Sequence, residues 1–95
     1  MGIDDLRAKR EGILEIARRH GVGRVRLFGS VARGEETPGS DVDFLIEVEG
    51  PTSPWFPGGL VVELEDLLAC RVDVVELEGI RDGLRATILR EAIPL

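Results

Sequence analysis

The sequence predicts an α/β fold, a short mixed β-sheet flanked by helices in the order αβ(turn)βαβα. Three short runs rich in β-branched and aromatic residues, Arg24 to Phe28, Asp41 to Val48 and Val72 to Leu77, read as strands. Stretches with apolar residues at three- and four-residue spacing lie before and between them and read as helices. The 95 residues are 43% hydrophobic, enough for one packed domain over residues 1–95 and too few for two.

Ile3 to His20 reads as a first helix, with Leu6, Ile13, Leu14 and Ala17 on its apolar side and Gly21 as its stop. The first strand follows, with Val25 and Leu27 on one face. Gly29 and Ser30 break it, and Val31-Ala32-Arg33 forms a single helical turn. Pro38 and Gly39 make residues 35–40 a loop. In the second strand Val42, Phe44, Ile46 and Val48 share one face, and Asp41, Asp43, Leu45 and Glu47 share the other. Three prolines between Gly50 and Gly59 predict an exposed loop carrying Trp55 and Phe56. Leu60 to Cys70 is a helix with Leu60, Val61, Leu64, Leu67 and Leu68 in one stripe. A last helix is marked by Leu84, Ile88, Leu89 and Ala92. Strands two and three, joined through a helix, are expected to be parallel; strands one and two, joined by a short loop, can be antiparallel.

Composition narrows the function classes. Acidic residues outnumber basic ones 18 to 12, for a net charge of −6, which argues against a protein held to nucleic acid by a basic face. No stretch reaches the ~20 apolar residues of a membrane span, so a cytoplasmic protein is the expectation. Cys70 is the one cysteine and His20 the one imidazole. Cys70 reads as a small core residue and His20 as a structural residue at a helix end, which leaves no Ser/His/Asp or metal–thiolate set. The sequence contains no Tyr, Asn or Gln and a single Lys. That scarcity leans towards heat adaptation and fits a GC-rich genome as well.

Three features carry chemistry. Gly29-Ser-Val-Ala-Arg-Gly34 follows a strand directly; a Gly-Ser step there lets backbone N–H groups face a ligand, and with Arg33 it suits a phosphate. Alone, such a step is more often a plain turn. Asp41 and Asp43 stand two residues apart on one strand face, roughly 6–7 Å along the chain. Mutual repulsion there favours a bridging hard cation such as Mg²⁺, against the alternative of a solvated strand face. Asp73, inside a β-branched run, joins them if the third strand lies beside the second; otherwise it is an edge-strand acid paired with Arg71. Three such carboxylates suit two divalent ions poised for displacement at phosphorus.

Together Gly29-Ser-Val-Ala-Arg-Gly34, Ser40-Asp-Val-Asp43, Arg71-Val-Asp-Val-Val75 and Ile88-Leu-Arg-Glu-Ala-Ile-Pro-Leu95 resemble the DNA polymerase β-like nucleotidyltransferases. They resemble most the minimal nucleotidyltransferases, the antitoxin halves of HEPN–MNT toxin–antitoxin modules. The resemblance spans nearly the whole chain and implies the nucleotidyltransferase fold, Mg²⁺ (two ions) and ATP. It implies that Gly29 and Ser30, with Arg33, hold the triphosphate. It further implies that Asp41, Asp43 and Asp73 bind metal and carry catalysis, Asp73 favouring deprotonation of the acceptor. The implied reaction moves AMP to a tyrosine hydroxyl of a partner HEPN ribonuclease toxin. With no Tyr in the chain, that chemistry acts in trans. Two alternatives stay open: an antitoxin that neutralises by binding alone, and a nucleotidyltransferase acting on RNA or a small molecule. Trp55 and Phe56 either stack a base, dock a partner or fold back over the core.

Overall fold

A computed structural model of the chain describes every residue from Met1 to Leu95. Two helices, α1 (Ile3–Ala8) and α2 (Arg10–Arg19), lead into β1 (Val22–Phe28), which runs straight into the short α3 (Gly29–Arg33). Then come β2 (Val42–Val48), α4 (Gly58–Leu68), β3 (Val72–Glu76), a 3₁₀ turn at Leu77–Gly79, α5 (Asp82–Glu91) and β4 (Ile93–Pro94). The sheet order is β3-β2-β1-β4. β1 pairs antiparallel with β2 and β4, and β2 pairs parallel with β3, the mixed sheet expected from the connections.

Alternation decides which face is covered. Val25 and Leu27 of β1, and Val42, Phe44 and Ile46 of β2, are buried in one cluster with Leu6, Ile13, Ile16 and Ala17 from the N-terminal helices and Leu60, Leu64 and Leu68 from α4. Fully burying a side chain such as Phe44 contributes about 1.5–3 kcal/mol, so this cluster dominates the stability of so small a domain. Residues 43, 45 and 47 of β2 face the other way.

The structure departs from the sequence pattern in six places. The expected first helix is two, parted at Lys9, whose N–H closes tighter bonds to Leu6 and Arg7 carbonyls while its ammonium reaches the Leu67 carbonyl near the end of α4 at 3.2 Å. A cation there complements the negative end of that helix. Ile16, rather than Leu14, completes the buried stripe of α2; Leu14 is half-buried. β1 starts two residues early, at Val22, with an irregularity in its pairing between Val22 and Arg24. Leu45 is buried although it lies on the second face, because the centre of the sheet is covered on both sides; Val48, at the strand end, is not buried. α4 stops at Leu68, with Ala69 in the left-handed conformation, so Cys70 follows the helix; its thiol is pushed up by burial, as suits a packed residue. The last departure is β4, whose Ile93 and Pro94 add a strand to β1 and bring Leu95 into the core. No helix is long and apolar enough to cross a membrane.

Candidate active site

The sheet register brings two of the three predicted carboxylates side by side. Asp43 of β2 and Asp73 of β3 are direct partners in the parallel ladder, on strands about 4.8 Å apart, and both face away from the core. On the other side, Phe28 is the β1 partner of Asp43, and the next residue is Gly29. Gly29 has φ +75°, and a Cβ placed on it would fall onto the Asp43 carboxylate, within 3.0 Å of its Cγ. Glycine is needed here for two reasons, its backbone angle and the close approach of the Asp43 side chain. The turn at Gly29 and the acid at Asp43 therefore form one packed unit.

Electrostatics agree with this grouping. The Asp43 carboxyl is held above the ordinary carboxylate range, first by partial burial, then by the charges of Asp73 and Asp41, with Arg33 opposing. Asp41 is exposed and lies just before β2. Ser30 sits in the first turn of α3, where helical N–H groups have no partner within the helix. Arg33 is engaged on both sides: its Nε donates to Glu35 at 2.8 Å, and its guanidinium lies 3.6 Å from Glu91 at the end of α5. A phosphate bound there would have to exchange with these carboxylates. Sequence reading missed Glu91, which reaches Arg33 only through the packing of α5, and also Glu35, two residues along the chain.

The family profile described as the nucleotidyltransferase domain matches residues 10–95. This chain belongs to that family. Protein adenylyltransferase MntA of Thermococcus cleftensis is 39% identical over 79 residues, covering 83% of this chain and 80% of its own. A Methanocaldococcus jannaschii relative, provisionally named a protein adenylyltransferase, is 38% identical over 93 residues, covering 98% and 97%. Among solved structures, one provisionally described as a minimal nucleotidyltransferase superposes with a TM-score of 0.87 at 47% identity, covering 100% of this chain and 97% of that one. A crystal structure of a toxin–antitoxin with AMP-PNP gives 0.75 at 21% identity, over 88% of this chain and 69% of that one; this is a likeness of fold.

For a nucleotidyltransferase the fit to a divalent cation rests on the donor set. Asp43 and Asp73 are hard oxygen donors, and burial followed by the Asp73 charge holds the Asp43 carboxyl up, while the missing Cβ of Gly29 lets the Asp43 carboxylate pack against the turn. Mg²⁺ is commonly held by one or two carboxylates plus substrate phosphates, so this pair is sufficient. The side chains do not by themselves close a three-ligand cage; Asp41 lies just before β2, and its charge still acts on Asp43. The donor set therefore fits a cation completed by nucleotide phosphates.

The tertiary structure separates the two loop aromatics. Phe56 packs against the core, whereas Trp55 is 92% exposed with φ 62°. The loop leaves the C-terminal end of β2 at Val48, about 17 Å along the strand from Asp43 by strand rise. Trp55 therefore stands exposed in a loop that leaves the opposite end of β2 from Asp43. His20 is buried and tied to Ser53 of the same loop and to Glu63 of α4. Its role is structural, as expected: it fastens the loop to the helical layer. The clefts of the surface, along α2, at Gly21–Pro51 and between Gly2–Arg7 and Gly34–Glu36, are not lined by Asp43 or Asp73. Asp73 is exposed and Asp43 half-buried on the face away from the core.

Proposed function

We propose that this nucleotidyltransferase moves AMP from ATP, with Mg²⁺, to a hydroxyl of a separate protein, a tyrosine of a cognate HEPN-family toxin, and so acts as its antitoxin. The observation that carries the reading is the Asp43–Asp73 pair set against the Gly29 turn, two carboxylates and a glycine turn brought into one cross-strand row. Support also comes from the relatives named protein adenylyltransferase and from the fold shared with a toxin–antitoxin bound to an ATP analogue.

In the proposed reaction Gly29 and Ser30 hold the triphosphate and Arg33 offsets its charge. Bound Mg²⁺, held by Asp43, Asp73 and Asp41 with the phosphates, would supply charge neutralisation at phosphorus and acidify the attacking hydroxyl. The acceptor oxygen forms a bond to the α-phosphorus as the bond to the bridging oxygen of the β-phosphate breaks, and pyrophosphate leaves. The hydroxyl proton passes to Asp73 and then to solvent. Because the chain has no Tyr, a tyrosine acceptor must belong to another chain.

Incubation with ATP labelled at the α-phosphate, Mg²⁺ and the toxin encoded beside this protein tests the reading. Label is expected on a toxin tyrosine, with loss of toxin activity, and neither with the Asp41→Ala/Asp43→Ala double variant. Toxin neutralised without label, equally well by that variant, would show an antitoxin that works by binding alone.

A further inference from the structure

The sheet has two edges, and they are finished differently. On one side β4 is two residues long and ends in Pro94, which has no N–H to offer, so that edge is blunted. On the other side β3 runs five residues, Val72–Glu76, without proline or lysine. Its hydrogen-bonding sense follows from two bonds. The Val42 N–H donates to the Arg71 carbonyl at 3.0 Å, so residues 71, 73 and 75 turn their backbone groups towards β2. The Val72 N–H instead points outward and is capped by the Glu65 carboxylate at 3.1 Å. By alternation the Val72 carbonyl, both groups of Val74 and the Glu76 N–H face outward along an open edge.

We propose that this outer edge of β3 is the rail on which the acceptor-bearing segment of the protein substrate docks as an added strand. The inference rests on the acceptor being a protein hydroxyl, as proposed above. A residue of the added strand opposite Asp73 has its side chain on the same face as Asp73 and Asp43, one strand spacing of about 4.8 Å further out. The hydroxyl is thereby delivered to the catalytic row by backbone pairing. The charge of the rail selects the occupant. Glu65, whose carboxylate caps the Val72 N–H, Asp73 and Glu76 of the strand itself, and Glu78 in the turn that follows lie along it, with Arg71 at its start. A second copy of this chain, itself carrying −6, is repelled, whereas an extended basic segment is attracted.

Glu76 supplies a selective test. Its φ of −82° is close to that of proline, it is exposed, and its N–H faces outward, so Glu76→Pro removes one docking hydrogen bond and adds a steric block while the β2–β3 ladder stays intact. Binding of the toxin to the full chain and label transfer are measured side by side, with thermal unfolding and ATP binding as checks on the fold. The expected result is binding to toxin weakened about tenfold or more, and a KM for toxin raised in proportion, at unchanged ATP affinity. A second variant, Glu76→Lys, is expected to weaken binding and flatten its salt dependence, and it serves where the proline variant unfolds. Toxin affinity unchanged in both variants overturns the rail. Wild-type protein that binds toxin through this edge but transfers no label would instead overturn the adenylylation reading and leave the rail standing.

Discussion

Gly29 is the point at which backbone geometry and catalytic placement meet, and replacing it with alanine separates them. Gly29 and Gly34 both have left-handed backbones, with φ of +75° and +72°. Alanine in that region costs about 1–2 kcal/mol, part of which is offset by about 0.4–1 kcal/mol from a stiffer unfolded chain. At Gly34 a Cβ meets nothing within 4 Å, so Gly34→Ala carries only that backbone cost. A net loss of about 1 kcal/mol lowers Tm by about 4–8 °C in a domain of this size. At Gly29 the same cost is joined by the collision with Asp43, whose Cγ would lie 3.0 Å from the new carbon, against an ordinary contact of at least 3.4 Å. The carboxylate must turn away from its rotamer, a further cost of about 0.5–1.5 kcal/mol. Displacing a catalytic group by about 1 Å costs about 100-fold in rate. Thermal unfolding and initial rates of label transfer from ATP to the toxin are the assays. Gly29→Ala is expected to lose about 100-fold in rate with a Tm only moderately below that of Gly34→Ala, which keeps most of its rate. Equal rates in the two alanine variants would refute the claim that the Gly29 turn seats Asp43.

Two other predictions follow from charge. Asp43 is crowded by Asp73 and Asp41, so in the presence of a chelator Asp43→Asn is expected to raise Tm while abolishing transfer; in Mg²⁺ the wild-type protein should gain Tm and the variant should gain less, as paired thermal scans will read. Glu63 is the reverse case: hydrogen bonds from His20 and then Arg19 hold its carboxyl below the ordinary value of 4.5. A lowered carboxylate contributes stability that is present above that ordinary value and lost as pH falls through the lower folded one. Glu63→Gln is therefore expected to lower Tm at neutral pH, with the gap to wild type closing as pH drops below about 4.5, and a pH series of melting curves checks it.

Much of the site is legible in the chain because its parts are local. Gly29 with Ser30 is fixed by one turn and Asp43 by one strand, whose period already tells which face it takes, whereas Asp41, expected on that strand, lies just before it. The parallel pairing that sets Asp73 opposite Asp43 is also foreshadowed, since a helix between two strands leaves few other arrangements. What escapes is whatever depends on distant segments meeting. Lys9 looks like any surface lysine inside a helical stripe until the Leu67 carbonyl is seen within its reach. Ile93 and Pro94 are too short a run to register as a strand, and only the free edge of β1 makes them one.

The sequence by itself determines a mixed α/β fold with a glycine turn after the first strand and an acidic second strand, because hydrophobic period and glycine position act within a few residues, and its motifs carry the resemblance to the nucleotidyltransferases. The tertiary structure decides which of those acids stand together, and it removes Trp55 to the far end of the sheet. It also sets Glu91 against Arg33 and leaves β3 as the open edge beside Asp73. Those outcomes depend on register and on chain closure, in which one residue's neighbours lie tens of positions away, and no local pattern encodes them.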